Sequence, residues 1–150
     1  MMQQADGDRT LASAWFLAGL GAVPFVAMAL ASVLSPGFEA AHLGGEAAFI
    51  GYGAVILSFM GGVRWGAALQ SSSGSRSEQM ILSVAPSLAA WLALLIVRPW
   101  SLILLLAAFV VQGIWDVSSA RKGFLPGWFG RLRLTITAIV VASILLVLVA

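Results

Sequence analysis

The sequence predicts an all-α integral membrane protein: a five-helix bundle with its N-terminus inside and its C-terminus outside. Three observations carry this. First, 61% of the 150 residues are hydrophobic and only 9% are charged, against roughly 25% charged in an average soluble domain. A soluble domain of this size has too little interior to hide so much apolar surface. Second, the chain divides into five apolar runs, each near the ~20 residues that a helix needs to cross hydrocarbon. Third, the cations between those runs gather at one end of an alternating bundle, as the positive-inside rule requires. A mean hydropathy of +1.01 agrees. A soluble enzyme, a disordered chain and a nucleic-acid binder are excluded. The pI of about 9.9 reflects few charges rather than many cations, because the net charge is only +2.

The elements follow in order as one transmembrane domain over residues 1–150. The first span, 11–34, contains Pro24 and stops at Ser35-Pro36-Gly37, a turn signal. Its leading residues hold Asp6, Asp8 and Arg9, a poor positive n-region, so it reads as a retained helix rather than a signal peptide. The second span, 48–69, contains Arg64 and ends in the loop Ser71-Ser72-Ser73-Gly74-Ser75. The third, 80–97, contains Pro86 and runs into the turn Arg98-Pro99-Trp100. The fourth, 101–120, carries Asp116 near its end, and Pro126-Gly127 separates it from the fifth, 132–150. The runs are continuously apolar, without the alternation of a membrane β-barrel. No repeat with matched polar positions is present, so an inverted-repeat transporter is not supported.

With the N-terminus inside, the inner segments hold Arg9, Arg76, Arg121, Lys122, Arg131 and Arg133, and the outer segments hold Arg98. The outer surface then carries Glu39, His42 and Glu46. This orientation places Arg64 and Asp116 at nearly the same depth, close to the inner boundary. A lone charge at a helix centre costs roughly 2.5–3.5 kcal/mol on insertion scales, and pairing offsets part of that. A structural salt bridge, or snorkelling to headgroups, is favoured over a proton or substrate site. Gln112 shares a helix face with Asp116, Gly113 and Phe109. Gln79, Ser83 and Ser87 form a stripe on the third helix, and Arg131, Arg133 and Thr135 open the fifth. The predicted intramembrane polar cluster is Arg64, Asp116, Gln112, Gln79, Ser83 and Arg133. It reads as a network holding the helices in register, or as a pocket for a headgroup, a quinone ring or a small anion.

The second helix reads as the packing centre. Ala54, Ser58, Gly62 and Gly66 make one small-residue face, and Gly53, Gly61 and Ala68 make another on the side of Arg64. Small residues let membrane helices approach closely. Ser58, Gly61, Gly62 and Gly66 are therefore the predicted packing positions, with Gly62 expected at a close helix contact. Pro24 and Pro86 each free a carbonyl and bend their helices. Trp65, Trp100 and Trp128 fit an interfacial aromatic belt, while Trp15, Trp91 and Trp115 have no such assignment.

The residues that chemistry needs are scarce. There is no Cys, and the single His is His42, so a thiolate site, a His-based metal site or a catalytic triad is not expected. No paired acids or phosphate-binding loop appear, and no cofactor or catalytic residue is predicted. The stretch from Gly51 to Gly66, with Gly61-Gly62-Val63-Arg64-Trp65-Gly66 at its end, resembles the hallmark segment of the bacterial domain-of-unknown-function 3429 family, which is related to the mitochondrial transmembrane protein 69. The resemblance extends through Leu82-Ser83-Val84-Ala85-Pro86-Ser87-Leu88 with Trp91, then Gln112, Asp116 and Pro126-Gly127-Trp128-Phe129, to Leu132-Arg133-Leu134-Thr135. Leu20-Gly21-Ala22-Val23-Pro24-Phe25 also fits. Phe129 stands where the family usually has a hydroxylated aromatic. The resemblance implies a multi-pass protein of the bacterial inner (plasma) membrane, or of the mitochondrial inner membrane in a eukaryote. It implies no reaction. Its motif positions are Arg64, Trp65, Pro86, Asp116, Trp128 and Arg133.

The expected function is non-enzymatic: a structural or assembly role, or binding of lipid or another hydrophobic ligand. The alternative is a small transporter or channel using the Arg64–Asp116 layer, and a continuous polar cavity past Arg64 would mark it. Expected partners are membrane lipids and another membrane protein or complex, and no nucleic acid.

Overall fold

The computed structural model describes residues 2–34, 45–70 and 76–150, with backbone alone for residues 2–6 and Asp8. Ser35-Pro36-Gly37, Glu39, His42 and the serine loop from Ser71 to Ser75 lie outside these residues. Among the described residues the chain is all α: α1 Met2–Leu34, α2 Glu46–Gln70, α3 Arg76–Leu95, α4 Trp100–Arg121 and α5 Gly127–Val149. Each is long and apolar enough to cross a membrane.

The helix ends show how the sequence sets their lengths. Between α3 and α4 the chain turns tightly, and the Trp100 amide donates to the Val97 carbonyl at 3.1 Å. α3 stops at Leu95 rather than running to 97, and Pro99, which has no N–H, cannot donate to the Leu95 carbonyl to continue the helix. The end of α4 is closed by Gly123 at φ +79°. The Gly123 amide donates to Ala120 O at 3.2 Å and the Phe124 amide to Ser119 O at 3.0 Å. This is the paired bond pattern that satisfies the last carbonyls of a helix, and it favours glycine at the left-handed position. Pro126 then caps α5, which begins at Gly127. The fifth helix therefore starts before the predicted 132, and Arg131 and Arg133 lie inside it.

The helices pack as two hairpins, α2 with α3 and α4 with α5, with α1 laid mainly along α5. The centre is aromatic. Phe25 meets Phe49, Phe109 and Tyr52 edge-on, with ring centroids 5.6, 5.8 and 5.0 Å apart. Leu57, Leu102, Leu105 and Ile144 are buried around them. The Tyr52 hydroxyl donates to the Gly21 carbonyl at 2.8 Å, tying α2 to α1. The outer surface is hydrophobic: Phe16, Val55, Phe59, Ile81, Trp91, Val111 and Leu134 are exposed. Water would penalise so large an apolar exterior, and lipid does not.

The close approach of α2 to α3 falls on Gly61. A Cβ there would stand 2.5 Å from the Ser83 carbonyl oxygen, whereas nothing lies within 4 Å of a Cβ at Gly62 or Gly66. The expectation for Gly62 is thus corrected: it is exposed, and Ser58 is only half-buried. The physical reason is face selection. Gly53, Gly61, Arg64 and Ala68 are buried together, so Gly61 and its face meet the neighbouring helices, while Gly62 looks outward and Gly66 borders the cavity beside Arg64. Gly61→Ala is accordingly expected to destabilise the protein by about 1–3 kcal/mol through overpacking against backbone. Gly62→Leu, on an exposed face, is expected to change stability by less than about 0.5 kcal/mol. Thermal denaturation in detergent checks both, and equal effects would refute the face assignment.

Candidate functional site

Helices α2, α4 and α5 each carry an ionisable side chain less than two turns from one end of the bundle: Arg64, Asp116 and Arg133. All three are buried, at 6%, 2% and 5% exposure. Their meeting is set by small residues. On α4, Gly113 and Ala120 flank Asp116; on α5, Gly130 and Thr137 flank Arg133. A Cβ at Gly113 would come within 2.9 Å of Thr137, and one at Gly130 within 3.0 Å of the Ala120 Cβ. The two helices are therefore in close contact above and below the pair, and Arg133 is pressed onto Asp116.

The geometry ranks the partners of Asp116. Arg133 Nε donates to Oδ2 at 2.8 Å, a charge-assisted hydrogen bond of full strength. Gln112 Nε2 donates to Oδ1 at 3.1 Å. Arg64 Nη1 stands 3.7 Å from Oδ1, an ion pair longer than a hydrogen bond. The Arg64 guanidinium also lies 3.9 Å from the centre of the Trp115 ring, a cation–π contact. The arrangement is thus a triad. Arg64 and Asp116 come together, but the tight partner is Arg133. Two guanidinium groups face one carboxylate, so the layer carries one net positive charge. Arg133 Nη2 and Thr137 Oγ1 are buried without a hydrogen-bond partner among the described residues.

Gln79 and Ser83 do not reach Asp116. The Ser83 hydroxyl donates to the Met80 carbonyl of its own helix at 2.6 Å. Gln79 lines a polar cavity of about 690 Å³ with Arg64, Gln70 and the α4–α5 connection. On the other side of α2, a cavity of about 380 Å³ opens between α1, α2 and α5. Its wall is apolar except for Arg133. Val63 lines both cavities.

One polar device was not legible as such. At the opposite end of the bundle, Arg98 donates to Glu46 Oε2 at 2.8 Å and to the carbonyls of Val147 and Leu148 at 3.0 and 3.2 Å. It joins the start of α2 to the last turn of α5, where carbonyls lack helical partners. The available signal was a lone arginine in a turn together with an acid in the first turn of α2.

Among the described residues, five apolar membrane-length helices around a buried Arg–Asp–Arg layer define a multi-pass α-helical membrane protein. The chain belongs to the family described as Protein of unknown function (DUF3429), whose model matches residues 11–149. It is 36% identical over 138 residues to Transmembrane protein 69 of Xenopus tropicalis, a match covering 87% of this chain and 51% of that protein. The chain thus spans about half the length of that relative. No solved structure matches it.

A double-mutant cycle tests the ranking. Asp116→Ala leaves two buried guanidinium groups facing each other and is expected to cost about 3–5 kcal/mol. Adding Arg133→Met should recover more stability than adding Arg64→Met, because the Asp116–Arg133 coupling is the larger. Equal recovery, or a larger one with Arg64→Met, would contradict the geometry.

Proposed function

We propose that this chain is a non-catalytic multi-pass protein of the bacterial inner (plasma) membrane, or of the mitochondrial inner membrane in a eukaryote, that binds a lipid or similar hydrophobic molecule between its helices. The observation that carries this reading is the apolar cavity of about 380 Å³ between α1, α2 and α5. Concave, mostly apolar sites with a few placed polar groups are the usual form of small-molecule pockets. A structural use of the Arg–Asp–Arg layer is consistent with it, since tightly paired charges fix helix register.

The transporter or channel reading has one favourable observation, the polar cavity against Arg64. Beyond it, toward the other end of the bundle, the centre is filled by Phe25, Phe49, Leu57, Leu102, Leu105 and Phe109, all nearly inaccessible. That packing favours binding over passage.

Orientation belongs to the same proposal. Arg133 is withdrawn into the layer, and Arg9, Arg76, Arg121, Lys122 and Arg131 remain as the cations at or near the helix termini of one end, against Arg98 at the other. That end is the inner one by the positive-inside rule. The chain has no native Cys, so single cysteines report cleanly. An impermeant thiol reagent on intact cells should label Val97→Cys and leave Lys122→Cys unlabelled, and the reverse pattern would overturn the orientation.

The binding reading is tested by solvent extraction of protein purified in mild detergent, followed by mass spectrometry. A hydrophobic molecule in near-stoichiometric amount is expected. Protein that carries none, and yet passes ions in proteoliposomes, would replace this reading with the channel.

A further inference from the structure

The apolar slot has a direction. Its charged end is formed by Ala14, Val63, Phe129 and Arg133, and its wholly apolar end by Phe25, Ile56 and Val140. Along α5, Phe129 to Val140 corresponds to about 16 Å at the rise of an α-helix, roughly half of the ~30 Å hydrocarbon core. The slot thus has the length of one leaflet. It begins where Arg121, Lys122 and Arg131 lie exposed, at a bundle end that attracts anionic headgroups.

Arg133 adds the recognition chemistry. Its Nε is committed to Asp116, but its Nη2 is buried with no acceptor among the described residues. Buried donors are nearly always satisfied, so an orphan requires an explanation. The layer behind it has one uncompensated positive charge, because Asp116 neutralises only one of Arg64 and Arg133. An acceptor that is also an anion would answer both deficits.

We infer that the slot and Arg133 form a binding site for an anionic phospholipid, with one acyl chain along α1, α2 and α5 and the phosphate at the Arg133 end, where Nη2, closed off in this structure, turns toward it to donate the hydrogen bond it lacks. This rests on the lipid-binding reading and names its ligand class. The second acyl chain lies outside the slot among bilayer lipids. Guanidinium suits this role because it donates to carboxylate and phosphate at once through separate N–H groups.

Two substitutions separate tail from headgroup. Gly21 lines the slot, and nothing lies within 4 Å of a Cβ built there. Gly21→Phe therefore fills the slot without touching the polar layer or the backbone carbonyl used by Tyr52. Arg133→Gln removes the charge and the guanidinium while Arg64 stays beside Asp116.

The experiment is native mass spectrometry of the delipidated full chain with phosphatidylglycerol, phosphatidylcholine and diacylglycerol of identical acyl chains. The wild type should retain phosphatidylglycerol over phosphatidylcholine by about fivefold, the equivalent of ~1 kcal/mol for one cation–headgroup contact. Diacylglycerol should bind more weakly still. Gly21→Phe should lower retention of all three, and Arg133→Gln should abolish the preference while leaving retention. If the wild type holds all three equally and Gly21→Phe releases them, lipid binding stands and the anionic site is wrong. If no retained lipid responds to Gly21→Phe, both readings fail. A preference that survives Arg133→Gln but disappears in Arg64→Gln would move the headgroup to the polar cavity and overturn this assignment. Should Arg133→Gln fail to fold, the wild-type preference together with Arg64→Gln decides: a preference that Arg64→Gln leaves intact keeps the headgroup at Arg133, and one that it removes overturns the assignment.

Discussion

The organisation of this bundle depends on one carboxylate. Asp116 lies in a helix that the bilayer would otherwise leave without polar partners, and an unpaired charge there is costly. It is relieved by a 2.8 Å bond to Arg133, a 3.1 Å bond from Gln112 and a longer ion pair with Arg64. These contacts reach from α4 to α5 and α2. Fixing them fixes the relative height and rotation of three helices. The glycines that let α4 and α5 approach, Gly113 and Gly130, are what make the short bond possible. Packing and electrostatics therefore specify the same register, which is the consistency expected of a sequence with one preferred structure.

The opposite end is organised by a different use of the same residue type. Arg98 pairs with Glu46 and also covers the terminal carbonyls of α5. Between these two polar ends lies the aromatic centre around Phe25. The bundle is thus pinned by arginines at both ends and filled by rings in the middle. Among the spaces left unfilled is the slot on the α1 side, where a mostly exposed helix leans on α5. Phe129 borders that slot, so the residue standing at the family's hydroxylated aromatic position contributes apolar wall here.

Much of this was legible in the sequence, for physical reasons. Helix number follows from apolar run length, and turns follow from Pro99 and Pro126, whereas the closing of α4 on Gly123 was visible only in the structure. That Arg64, Gln112, Asp116 and Arg133 belong to one layer follows from their distance to helix ends. Two things were not legible. Depth says which charges share a level, but not which pair touches; that depends on rotation about each helix, set by Gly113 against Thr137 and Gly130 against Ala120. The same limit applies to α2. Two small-residue faces are visible, but small residues on a lipid-exposed face look identical in sequence to small residues at a contact, so the spacing points to Gly62 where the contact falls on Gly61. Gln79 and Ser83 had the right depth and the wrong rotation to reach Asp116.

The central claim is that Arg133, rather than Arg64, closes on Asp116 within the membrane. Solid-state NMR on the protein in lipid bilayers measures it directly, through dipolar couplings between labelled arginine side-chain nitrogens and the Asp116 carboxylate carbon. The account predicts a strong coupling from Arg133 Nε and a weaker one from Arg64. A strong Arg64 coupling with none from Arg133 would contradict it.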